Sequence, residues 1–145
     1  MNATALATGT INADRENSGT RFLPLVGRLL IGGIFLLSGL SKLPAYTYIT
    51  AVISGAGLPF APLGFAVAVV VEIGLGLLLL IGYRVRPVAV GLVIWCLVTA
   101  LFFHRNFADQ NMMIHFLKNL MIAGGLLQIV HFGAGAVSLD ARAGR

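Results

Sequence analysis

Four apolar stretches, each about twenty residues long, divide this chain, and that is the length an α-helix needs to cross the hydrocarbon of a bilayer. They run from about Phe22 to Leu43, Leu58 to Tyr83, Pro87 to Phe103 and Met112 to Phe132. In a chain of 145 residues they leave only short loops and two tails, a flexible polar one over residues 1–21 and a short one over 133–145. Composition agrees: 58% of the residues are hydrophobic and 10% charged, whereas a water-soluble domain carries about 25% charged residues to face its solvent. The expected fold class is an all-α integral membrane protein, a four-transmembrane-helix bundle. A further soluble domain has no room. A disulfide-built scaffold is excluded by the single cysteine, and a disordered chain by the apolar content.

Ten Lys and Arg stand against five Asp and Glu. In a polar chain that excess would suggest nucleic acid; in one this apolar it reads as an orientation signal, because cytoplasmic loops collect Lys and Arg. Arg15, Arg21, Arg84, Arg86, Arg142 and Arg145 fall on the side that holds both tails and the turn between spans 2 and 3. Lys42 and Arg105 fall on the other. Both termini are therefore expected in the cytoplasm, with lipid as a partner and no nucleic acid. Residues Met1 to Thr20 are mostly small and polar, unlike a secretory signal, which starts basic and soon enters its apolar core. The first hydrophobic segment is thus expected to stay in the protein. Between spans 1 and 2, Pro44 to Gly57 reads as a loop, yet Tyr46, Tyr48, Ile49, Val52 and Ile53 make it too apolar for a solvated linker. It is expected to lie along the interface or cap the bundle.

Ionisable groups inside the spans are costly in hydrocarbon, so each needs a partner, an escape to the interface, or a function. Glu72 lies midway along span 2, too deep for a short carboxylate to reach water, on a stripe with Gly64, Ala68 and Gly76 where a neighbouring helix can come close. It is the best candidate for a catalytic, proton-carrying group; a structural ion pair is the plainer reading. In span 1, Arg28, Gly32, Phe35, Gly39 and Lys42 recur at helical spacing along one face. Arg28 and Lys42 are each near a helix end, where snorkelling is an alternative to a functional role. Span 4 contributes His115, Lys118 and Asn119 on one flank. Together these residues suggest a ligand site of Arg28, Lys42, Glu72, His115, Lys118 and Asn119. Three cations facing one anion would favour an anionic or electron-rich guest, such as a quinone oxygen, a small oxyanion or a lipid headgroup.

His104 closes span 3 and His115 opens span 4, at similar depth. Facing histidines are the weak candidates for a haem or metal site. No third ligand accompanies them in the sequence, so neither haem nor metal is expected. Cys96, the lone cysteine, rules out an internal dithiol relay. Its neighbour Trp95 reads as packing, or as an aromatic wall for a flat ring if its indole N–H finds a partner.

Arg28, Gly32, Phe35, Ser38-Gly39 and Lys42, followed by Gly57-Leu58-Pro59 and by Glu72 with Gly74, Gly76, Gly82 and the basic turn Arg84 to Arg86, resemble the DoxX family of small four-span bacterial membrane proteins. Lys118-Asn119-Leu120 and the closing Ser138-Leu139-Asp140 after Gly133 and Gly135 fit the same pattern. The resemblance implies a bacterial cytoplasmic (inner) membrane location. It also implies an association with quinone-linked or thiol-redox complexes, since the family is named for a membrane subunit of a thiosulfate:quinone oxidoreductase. Its matching positions are Arg28, Lys42, Glu72, Lys118 and Asn119. Two expectations stand side by side: a quinone-associated subunit, with quinone as ligand and a redox partner subunit, and a non-catalytic scaffold or lipid-binding subunit. A small-solute or metal transporter ranks behind both, because four spans would need a homodimer to frame a pathway.

Overall fold

The structure is a computed structural model and describes residues 20–144. The N-terminal tail expected over residues 1–21 falls almost wholly outside the described residues, as does Arg145. The described residues contain helices and turns but no strand.

Helix α1, Leu23–Lys42, starts with Pro24 in its first turn, where the missing N–H costs nothing. At 1.5 Å per residue its 20 residues span about 30 Å, the thickness of the hydrocarbon. One 3₁₀ turn, Leu43–Ala45, leads directly into α2, Tyr46–Gly55. The segment expected as a loop is therefore helical for most of its length, and it packs against the start of α3, with Ile53 buried and the Tyr46 ring edge-on to Phe65 at 4.9 Å.

Helix α3, Ala61–Ile81, changes register at its centre: Ala61–Val69 is α-helical, Val70–Leu75 is a π-helical turn, and Gly76–Ile81 is α-helical again. It ends in a Schellman motif, with Gly82 at φ +73°, Gly82 N–H donating to Leu79 O (3.2 Å) and Tyr83 N–H to Leu78 O (3.0 Å). Helix α4 is Val85–Phe103. Helix α5, Gln110–Phe132, is capped by Asp109, whose carboxylate accepts from Asn111 N–H at 2.8 Å and from Met112 N–H. A last short helix, α6, Leu139–Arg142, is capped by Ser138.

All four long helices have the length and apolarity to cross a membrane. Their burial pattern fits lipid rather than water. Leu30, Leu37, Val70, Met121 and Phe132 point outward and are exposed, while a narrow core of Leu79, Val85, Leu92, Cys96 and Leu126 joins α3, α4 and α5. Small residues bring α1 against α3: a methyl group placed on Gly32 would lie 2.9 Å from Gly76 O, and one on Gly76 3.1 Å from Gly32 O. Without a hydrophobic drive between helices in lipid, such close backbone approach is what holds them together.

Candidate functional site

The α1–α3 seam sets the geometry of the charges. One helical turn beyond Phe35 and two beyond Gly32, a methyl on Gly39 would meet Ile73 Cγ1 at 2.6 Å and Glu72 Cβ at 3.1 Å, so only glycine allows α1 to lie directly on the π turn. That contact brings Lys42 to Glu72, Nζ to Oε2, at 2.6 Å. It is the one ion pair among the described residues. Lys42 also donates to Ser38 Oγ at 2.9 Å, one turn back on its own helix. The other carboxylate oxygen, Oε1, accepts from the indole Nε1 of Trp95 on α4 at 3.2 Å. Glu72 is 7% exposed and Lys42 21%, so the pair sits in a low-dielectric setting where its charge-assisted bond is strong and loss of either partner is costly.

Glu72, Lys42 and Trp95 form part of the wall of a cavity of about 680 Å³ bounded by all five of the helices α1 to α5. Most of the remaining wall is apolar, and its rim carries the exposed side chains Ile34, Phe60, Leu63 and Val67. Phe60 turns the chain into α3 with φ +57°, a left-handed conformation uncommon for a bulky residue. Farther along the wall lie Thr99, whose hydroxyl is 3.4 Å from Asn119 Oδ1, and Asn119 itself, which donates to His115 O at 2.9 Å. His104 and His115 stack at 5.1 Å between ring centroids with 29° between their planes. The Nδ1 atom of His104 is buried and has no hydrogen-bond partner among the described residues. Burial, with the nearby His115 and Lys118 as lesser causes, lowers the His104 pKa, so the ring is held neutral. Lys118 lines the same cavity from an exposed position on α5.

Five of the six residues expected to bind a ligand therefore share one cavity: Lys42, Glu72, His115, Lys118 and Asn119. Arg28 does not join them. Its guanidinium is buried near the other end of α1, where it donates to Leu79 O and Leu80 O, both at 3.3 Å, and to Val137 O. Fourteen residues of helix put it about 21 Å along the axis from Lys42, outside the cavity that the other five line. Its charge instead meets carbonyls at the C-terminal end of α3, where the helix dipole is negative. Among the described residues, no three His, Cys, Asp or Glu side chains come together as a metal-binding group.

Two participants were hard to read from sequence. In the sequence Trp95 fits packing and a ligand wall equally, and its bond to Glu72 depends on a contact 23 positions away. Asp140 stands out in the sequence only as the end of Ser138-Leu139-Asp140. Its oxygens accept from Arg84 N–H and Val85 N–H, both at 2.8 Å, satisfying the first free amides of α4. An acidic residue following a Gly-rich turn was the available signal.

The DoxX family profile matches residues 23–105, from the start of α1 to just past α4. The chain belongs to the DoxX family. It is 36% identical over 118 residues to the inner membrane protein YqjF of Escherichia coli K12, covering 80% of this chain and 88% of the relative. With the inner membrane protein YphA of the same organism it shares 33% identity over 125 residues, 83% of this chain and 89% of the relative. No solved structure matches the chain. The spans and these relatives together make this DoxX protein a multi-pass protein of the bacterial inner membrane. The profile match takes in Lys42, Glu72 and Trp95 and stops before α5, so Lys118 and Asn119 lie beyond it.

Proposed function

We propose that this cavity binds a lipid-soluble quinone and that the protein serves as the membrane subunit of a quinone-linked redox complex. The observation that carries the reading is the Lys42–Glu72 pair, with the Trp95 indole on its second oxygen, set into the wall of an otherwise apolar cavity open toward lipid-facing side chains. Ligand cavities of about 300–1,000 Å³ with few, well-placed polar groups bury compact ring systems, and 680 Å³ falls in that range. A quinone ring would lie against Trp95, one carbonyl accepting from Lys42, with its tail leaving past Phe60 and Leu63. Reduction to the quinol takes two electrons and two protons. Glu72 and Lys42 are the groups placed to exchange protons with the ring oxygens, while the electrons come from a redox partner subunit. The end that carries Arg21, Arg84, Arg86 and Arg142 faces the cytoplasm in this reading.

Trp95 is the only tryptophan of the chain, so the test has a built-in probe. Purified protein in lipid nanodiscs is titrated with a short-tailed ubiquinone analogue while Trp95 emission is recorded. Saturable quenching that weakens at least tenfold in K42M is the expected result. Quenching that rises linearly with quinone, as for a free indole in the same bilayer, and is the same in K42M would overturn it. Tight retention of fatty acids or phospholipid in the cavity instead would favour the non-catalytic lipid-binding role.

A further inference from the structure

The opposite end of the bundle holds a second cavity, of about 410 Å³, between the start of α4 and the chain that follows α5. The Lys42–Glu72 site has no part in it. Arg84, Arg86, Phe132, Gly133 and Asp140 are among the residues that line it. Its depth is set by the helices: α3 ends at Ile81, α4 begins at Val85 and α5 ends at Phe132, so the cavity lies where three spans emerge at headgroup level.

Its charges are unevenly matched. Asp140 contributes the only carboxylate of the lining, and both of its oxygens are occupied by the backbone amides of Arg84 and Val85. Arg84 lies over the Tyr83 ring at 5.9 Å, and the Arg86 guanidinium lies against Gly133, 3.7 Å from where a Cβ would be. Neither has an ion-pair partner among the described residues. Buried Arg28, just behind this turn, has its guanidinium bonded to carbonyls alone. Two exposed guanidinium forks thus open onto a shallow site whose apolar side is Phe132, the last residue of α5, 72% exposed.

We propose that this cavity binds the phosphate group of an anionic phospholipid, with Arg84 and Arg86 on its oxygens and an acyl chain along Phe132. Guanidinium groups match phosphate oxygens in paired hydrogen bonds, and basic pockets at the ends of membrane spans are suited to anionic headgroups. Gly133, at a φ of +83° that favours glycine, keeps the backbone in van der Waals reach of the Arg86 guanidinium.

The test is native mass spectrometry of detergent-purified protein exchanged with phosphatidylglycerol, cardiolipin or phosphatidylcholine. Wild type is expected to retain the anionic lipids at least tenfold better than phosphatidylcholine. The R84Q/R86Q variant is expected to lose that preference and R105Q, altered at the far end of the bundle, to keep it. Inorganic phosphate at millimolar concentration is not expected to displace the lipid; displacement would assign the site to free phosphate and overturn the lipid assignment. Equal retention of all three lipids by wild type, or an undiminished preference in R84Q/R86Q, would also overturn it. Both side chains are exposed, so the double variant is expected to keep its melting temperature in zwitterionic detergent. Should it unfold, R86Q alone gives the same comparison, since the Arg86 side chain takes no part in the hydrogen bonds from Arg84 and Val85 N–H to Asp140 that close the turn.

Discussion

The indole of Trp95 donates to Oε1 of Glu72 at 3.2 Å, leaving Oε2 to the Lys42 ammonium at 2.6 Å. Three helices are thereby joined through one carboxylate. Replacing Glu72 by Gln leaves Lys42 without its counter-charge, and the expected loss of stability is about 1–3 kcal/mol. That is below the about 3–5 kcal/mol for a fully buried pair, because Lys42 is partly exposed near a helix end. The K42M/E72Q double variant recovers part of the loss. Unfolding in detergent measures the coupling; if the two single effects simply add, the pair contributes nothing.

Gly39 and Gly33 make a matched pair of positions on one helix. A methyl on Gly39 meets Ile73 and Glu72 at 2.6–3.1 Å, while one on Gly33 meets nothing within 4 Å. G39A is expected to cost about 1–3 kcal/mol by overpacking and to weaken any ligand bound beside Lys42. G33A is expected to be neutral or slightly stabilising, since alanine favours helix over glycine. Equal melting temperatures for the two variants would refute the close seam.

His104 carries the pH dependence. Burial, then His115 and Lys118, lower its pKa in the folded protein, whereas in the unfolded chain it titrates near 6.5. As pH falls below about 6.5 the unfolded chain takes up the proton first, so stability declines until pH passes the lowered folded value and then levels off. K118Q removes one repelling charge and is expected to raise the His104 pKa and narrow that window. The imidazole titration followed by NMR in detergent decides this.

Arg28 and Asp140 hold the other end of the bundle. R28M removes a charged donor from three carbonyls, and hydrogen bonds to charged groups contribute about 1.5–3 kcal/mol; D140A removes the cap of α4, about 0.5–2 kcal/mol. Both variants are expected to melt earlier than wild type, yet to bind quinone analogue at Trp95 with unchanged affinity. A loss of binding in R28M equal to that in K42M would mean that the two ends are not separable.

Hydropathy made the four spans legible, and the scarcity of charge inside them singled out Glu72 and Lys42, because in hydrocarbon such groups stand out against almost any background. Helical periodicity also placed Arg28, Gly32, Phe35 and Gly39 on one face, and all four are buried. Periodicity gives angle and not distance along the axis, so it groups Arg28 with Lys42 although about 21 Å of helix separates them. The π turn over Val70–Leu75 has no local signature in its sequence; it lies where Gly39 of α1 packs against Glu72 and Ile73. Helix α2 reads as a loop in the sequence because ten residues of mixed character are too few for a periodic signal to rise above that of their neighbours.

The contact of Gly39 with the π turn has an entropic consequence. Backbone against backbone leaves α1 and α3 little freedom to slide, so the ammonium and carboxylate are already oriented before any guest arrives. In the proposed quinone reading, association would restrict mainly the quinone's own motion, because a preorganised site loses less affinity to ordering than one that must assemble its polar groups on binding.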